Sequence, residues 1–165
     1  MKGAAPGTLH VACQPFPSPQ GTQALVSSML EARRAAGEPV ALLAYAHGAG
    51  PDPAFPVHRV PDFPRARSLR SGPSLAKVAL DLRAVRALRR LLRRRPARVV
   101  AHNVEAALVA RLARVPGAVY VAHTRFDAEL PSYGAMPAGL AAALGRGLDG
   151  LAAGLGPVAA VAPAL

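Results

Sequence analysis

Short, uninterrupted apolar runs alternate along this chain with longer stretches in which apolar residues return every three or four positions. Leu9–Cys13 is the first such run, flanked by Gly7 and Pro15, and it reads as a strand buried on both faces. Pro15, Pro17, Pro19 and Gly21 make a rigid loop, after which Leu25, Val26, Met29 and Leu30 fall at helical spacing as far as Gly37, a natural helix stop. Val40–Tyr45 and Val57–Val60 read as the second and third strands. The proline-rich stretch from Ala46 to Pro73, interrupted only by that third strand, is longer than most connections in compact domains, and such loops usually bind something or move.

Leu75, Val78, Leu82, Val85, Leu88 and Leu92 then mark one stripe of a long helix that Pro96 ends, with arginines on its other faces. Val99–Ala101 is a fourth strand, and a helix over Val104–Arg114 follows with Asn103 as its N-cap. Ala118–Ala122 is a fifth strand, Thr124–Gly134 a loop, about Ala138 to Leu155 a helix of Ala, Leu and Gly, and Val158–Ala162 a sixth strand. Strand, loop and helix recur without hairpin signals. The expected fold is α/β, a Rossmann-like parallel sheet of about six strands with helices on both faces, in one domain over residues 1–165. Ligands of such sheets sit beyond the carboxyl ends of the strands near the switch in strand order, which directs attention to the loops after the first, fourth and fifth strands.

Composition supports a folded core. The 165 residues are 52% hydrophobic and 18% charged, and a chain of this length buries roughly 70% of its unfolded surface. Seven aromatics and no Trp leave Ala, Leu and Val to fill the interior. The net charge of +11 comes from eighteen Arg and two Lys, Lys2 and Lys77, a skew that a GC-rich genome also produces at neutral surface positions. The lone Cys13 cannot form an internal disulfide, which fits a reducing cytoplasm. The N-terminus lacks a continuous apolar segment of signal-peptide type, and Gly150–Leu165 is broken by Pro157 and Pro163, so no spanning helix is expected.

Candidate chemistry gathers in the three loops. Gly21 and Thr22 open the first helix, where backbone N–H groups and a positive dipole end could meet a phosphate, or where the pair simply forms a tight turn and cap. Neither a dinucleotide fingerprint nor a Walker motif is present. His102 and Asn103 follow the fourth strand, and His123, Thr124 and Arg125 the fifth, so two imidazoles should project at one sheet edge to take a proton, donate to a developing phosphate charge or position a sugar hydroxyl, unless each only bonds a nearby carbonyl. His10, within a strand, reads as a satisfied core histidine; His47 and His58 receive no role. Glu129 could bind a substrate hydroxyl, while Asp127 reads as solvated. No metal site and no covalent nucleophile can be defended. Eight arginines between Arg83 and Arg98 form either a solvated face or, through Arg83, Arg86, Arg90, Arg93 and Arg94, a contact with anionic membrane; nucleic acid is disfavoured because few aromatics could stack bases.

Three segments together resemble a known family. Pro15-Phe16-Pro17-Ser18-Pro19-Gln20-Gly21-Thr22-Gln23 is similar to the first loop of GT-B type retaining glycosyltransferases, in the family-4-like N-terminal domain. Val99-Val100-Ala101-His102-Asn103 and Val119-Tyr120-Val121-Ala122-His123-Thr124 resemble that family's later strands ending in His, and Val158–Leu165 its last strand before the chain crosses to a second domain. The resemblance implies the N-terminal, acceptor-side half of a hexosyltransferase-like enzyme that moves a sugar from a nucleotide sugar to an acceptor hydroxyl, without a metal or other cofactor. It implies that Gly21 and Thr22 approach the donor phosphates or the transferred sugar and that His123 sits near the reacting sugar. His102, Asn103, Thr124, Arg125 and Glu129 then line the acceptor side.

The second, nucleotide-sugar-binding domain is absent from these 165 residues. The expectation is therefore a chain without turnover of its own, completed in cis or in trans, cytoplasmic, with the basic helix placed to rest on the inner face of a membrane that supplies a lipid-linked acceptor. Where relatives carry two glycines and a Glu in the first turn, this chain has Gln20-Gly21-Thr22-Gln23. The competing class is a non-catalytic, flavodoxin-like binding or regulatory module for a phosphorylated ligand or a protein partner, with a nucleotide-sugar epimerase a smaller alternative.

Overall fold

A computed structural model describes residues 7–19, 21–46, 48–62 and 74–161. Gln20, His47, the 63–73 part of the long connection, and Ala162, the final residue of the expected sixth strand, lie outside the described residues. Six strands, β1 (Thr8–Pro15), β2 (Val40–Tyr45), β3 (Val57–Val60), β4 (Arg98–His102), β5 (Val119–Ala122) and β6 (Val158–Ala160), form one sheet in the order β3-β2-β1-β4-β5-β6. Every pairing is parallel. The order reverses between β1 and β4, which puts the switch point at their carboxyl ends.

The two faces of β1 go to different cores, which is why the sequence shows a continuous apolar run there. Leu9, Val11 and Cys13 join Leu43, Tyr45, Val99, Ala101 and Tyr120 beneath helices α2 (Leu75–Arg94) and α3 (Asn103–Leu112), with Ala152 of a later helix, α5 (Ala138–Ala153). Ala12 turns the other way and packs with Leu42, Ala44, Phe16 and Phe55 under Val26 and Leu30 of α1 (Gly21–Ala35). Among the described residues, helices thus lie on both faces, with α1 alone on one of them.

Four expectations need correcting. Leu25 of the first helix is 39% exposed, and Gln23 is buried in its place. The apolar stripe read along α2 is split: Val85 and Leu88 are buried with Leu80 and Ala84, whereas Leu75, Val78 and Leu82 are exposed, because the face against the sheet runs through Leu80, Ala84 and Leu88. Asn103 does not cap the helix after β4. It is the first helical residue, in left-handed backbone with φ of 67°, a region Asn tolerates better than most residues. The segment Thr124–Gly134 is not all loop: it contains a short helix, α4 (Phe126–Glu129), followed by a 3₁₀ turn over Leu130–Tyr133.

That short helix exists because of a residue twenty-odd positions away. Asp149 of α5 accepts hydrogen bonds from the backbone N–H of Phe126 at 3.3 Å and of Asp127 at 3.1 Å. Its carboxylate thereby satisfies donors that the first turn of α4 cannot satisfy internally. The two helices touch backbone to side, since a Cβ on Gly145 would lie 2.5 Å from Asp127 Cα.

Candidate functional site

Strand register fixes which side chains meet at the switch point. Ala12 of β1 is level with His102 of β4, and His102 is level with Val121 of β5. His10 shares the α1 face with Ala12; His102 lies on that same face because Val99 and Ala101 belong to the other core; His123 continues the alternation beyond Val121. Three imidazoles therefore rise diagonally across β1, β4 and β5 toward the carboxyl edge.

They form a hydrogen-bonded line. His10 Nδ1 and His102 Nε2 are 2.9 Å apart, and His102 Nδ1 and His123 Nε2 are also 2.9 Å apart. The first two rings are stacked, with centroids 5.2 Å apart and planes 17° from parallel; the second pair is tilted by 41°. His10 and His102 are fully buried and His123 half-buried. Burial disfavours the imidazolium at each step: His10 is held down to about 4, with Arg33 adding to the effect, and His102 down to about 2, with both neighbouring histidines adding. Desolvation lowers His123 as well. The line is neutral at neutral pH, and its outer end reaches the edge where the switch point opens.

Of the residues singled out from sequence, the structure brings His102 and His123 into direct contact and adds His10, which is a buried core histidine as expected but only half satisfied: Nδ1 meets His102 and Nε2 has no hydrogen-bond partner. Gly21 and Thr22 open α1 at the same carboxyl edge, after β1, and nothing stands within 4 Å of the place a Gly21 Cβ would take. Asn103, beside His102, has a buried Oδ1 without a hydrogen-bond partner, and so has the amide nitrogen of Gln14 at the end of β1. Nothing in the sequence singles out Gln14 as a site residue, since the first strand is expected to end at Cys13; β1 in fact runs through Gln14 to Pro15.

Thr124, Arg125 and Glu129 are engaged with their own loop. Thr124 Oγ1 donates to Glu129 Oε2 at 2.6 Å, and Tyr133 Oη donates to the other carboxylate oxygen. Arg125 grips Asp127 through two bonds, 3.0 and 2.8 Å, so Asp127 is paired and not merely solvated. The Arg125 guanidinium holds the Asp127 carboxyl below its ordinary range. On the α5 side Thr124, Arg125 and Asp127 help to line a hollow of about 320 Å³, together with Tyr120, Ala122, Arg146 and Asp149.

A second polar cluster lies under α2. Tyr45 Oη donates to Asp81 Oδ1 at 2.7 Å, and burial pushes the Asp81 carboxyl up to about 6. Lys77 Nζ pairs with Glu105 at 2.9 Å, linking α2 to α3. The basic helix is not uniformly free: Arg83 donates to the carbonyls of Pro61 and Asp62, and Arg89 to that of Leu112, while Arg86, Arg90, Arg93 and Arg94 are exposed.

Among the described residues no group of three or more His, Cys, Asp or Glu side chains is placed to hold a metal ion; the imidazoles point at one another along a line and do not converge. Among the same residues no helix is long and apolar enough to cross a membrane.

Comparison with known proteins agrees with this architecture. No curated protein gives a significant match. Among solved structures the chain is similar to WaaG, a glycosyltransferase involved in lipopolysaccharide biosynthesis, with a TM-score of 0.53 and 18% identity over 88% of this chain. At that identity the likeness speaks for the fold, half of a GT-B architecture, and the chain spans only 34% of the length of WaaG. The model of the glycosyl transferase 4-like domain matches residues 20–161, which take in β2–β6 and all the described helices but not β1. The chain belongs to the glycosyl transferase 4-like domain family.

Proposed function

We propose that this chain is the acceptor-side domain of a glycosyltransferase that moves a hexose from a nucleotide sugar to an acceptor hydroxyl. The observation that carries the reading is the position of His123: a half-buried imidazole at the switch-point edge, held by His102 and reached from neighbouring strands. In this reading His123 contacts the transferred sugar. Backbone N–H groups at Gly21 and Thr22 face the donor phosphates, using the dipole of a fifteen-residue helix. Asn103 and Gln14 offer polar atoms to the acceptor side, with Thr124, Arg125 and Glu129 forming its rim. Such contacts would align the acceptor and stabilise charge on the departing diphosphate, the two effects expected to matter most in this transfer. No metal or other cofactor is required.

The nucleotide-sugar grip is supplied by a second domain, in cis or in trans, and this half has no turnover alone. Incubating the 165-residue chain with a panel of nucleotide sugars and simple acceptors should give no transfer product above the uncatalysed rate. Robust transfer by the chain alone would contradict the half-site reading. The enzyme works in the cytoplasm, where Arg86, Arg90, Arg93 and Arg94 of α2 rest against an anionic membrane surface that presents a lipid-linked acceptor. Exposed Leu75, Val78 and Leu82 continue the same helical stripe and favour that placement.

A further inference from the structure

The buried end of the imidazole line determines what its exposed end offers to a ligand. A neutral imidazole carries one N–H and one lone pair, so each contact along the line needs one ring to donate and the next to accept. Only two polarities satisfy both contacts. In the first, His10 Nδ1–H donates to His102 Nε2, His102 Nδ1–H donates to His123 Nε2, and His123 carries its own proton on Nδ1. In the second, every bond is reversed: His123 Nε2–H donates to His102, His102 Nε2–H donates to His10 Nδ1, and the proton of His10 moves to Nε2.

The two arrangements differ at the far end. Nε2 of His10 is buried and has no hydrogen-bond partner. The second polarity would leave an N–H orphaned there, among the rarest features of folded interiors, whereas the first leaves only a lone pair. We propose that His10, acting through His102, fixes His123 as a neutral imidazole that presents an N–H from Nδ1, and no free lone pair, at the carboxyl edge of the sheet.

His10 and His102 are then positioning residues. The consequence for the proposed function is specific and rests on that reading: His123 donates a hydrogen bond to a sugar hydroxyl or phosphate oxygen and cannot serve as a general base, because Nε2 already accepts from His102. To gain a proton His123 would have to reverse the whole line and bury an N–H on His10.

Long-range proton–nitrogen NMR correlations on the ¹⁵N-labelled chain at pH 7.5 read each ring's tautomer without any ligand, so this test can fail while the transferase reading stands, and the reverse. All three histidines should show Nδ1 protonated and Nε2 bare, the form that free imidazole side chains populate less. An Nε2–H signal from His102 or His123 would overturn the proposal. His10→Asp places an acceptor-only group where Nδ1 stands, and it should switch His102 and His123 to Nε2–H. Unchanged tautomers in a folded His10→Asp variant would show that His10 does not set the polarity, and should that variant fail to fold, the wild-type spectrum decides alone.

Discussion

Three buried or half-buried histidines that stay neutral make this protein sensitive to acid. In the unfolded chain His10 and His102 take up protons near pH 6.5, but in the folded state they do so only near 4 and near 2. Below 6.5 the unfolded state therefore binds protons that the folded state refuses, and stability falls as pH falls. Asp81 acts with the opposite sign. Its folded value of about 6 lies above the ordinary carboxyl value, so the folded state binds the extra proton between 6 and 4 and gains stability there. Two histidines outweigh one carboxyl, and the net loss between pH 7.5 and 4.5 should be on the order of 3 kcal/mol. Urea unfolding at the two pH values checks this, and His102→Phe should flatten the decline; a decline just as steep in that variant would place the acid sensitivity elsewhere. His102 and His123 were legible in the sequence because each follows a short strand. His10 was not, since a residue inside a doubly buried run carries no mark of which face it takes or which neighbour it meets; only the register of β1 against β4 shows that.

At the scale of elements, the six strands and the long helices could be read because parallel strands covered on both sides leave continuous apolar runs. The orientation of α2 could not be. Leu75, Val78 and Leu82 are as apolar as the buried Leu80 and Leu88, so spacing alone marks two competing stripes. The helix α4 was hidden for a different reason: its cap, Asp149, comes from another helix. Gly145 tests how tightly α5 holds that element. By helix propensity Gly145→Ala should stabilise by up to about 1 kcal/mol. The contact predicts the reverse, because the new Cβ would meet Asp127 Cα at 2.5 Å and Phe126 O at 2.7 Å, both backbone atoms with nowhere to move. The variant should lose about 1–3 kcal/mol in denaturant unfolding; a gain would mean that α4 shifts freely and that the Thr124–Glu129 rim is not fixed by α5.

On the scale of the whole molecule, recurring β-α-β order without hairpin signals was enough to anticipate the sheet and the edge where loops gather. They could not show which polar groups on that edge are already spent on each other, as Arg125 is on Asp127. Charge belongs to this scale as well. The exposed stripe of Arg86, Arg90, Arg93 and Arg94 should bring the folded chain down with vesicles containing acidic lipid at low salt and release it as salt is raised, each arginine near the surface adding about 1 kcal/mol. Failure to sediment at low salt would remove the membrane part of the proposal and leave the sugar site untouched. That site is tested most directly by a crystal structure of this domain joined to its nucleotide-sugar-binding partner, with donor bound. Under the proposed function, His123 Nδ1 lies within hydrogen-bond reach of the transferred sugar or its phosphate, and the first turn of α1 at Gly21 faces the diphosphate. A sugar seated instead in the hollow between β5 and α5, out of reach of His123, would contradict it.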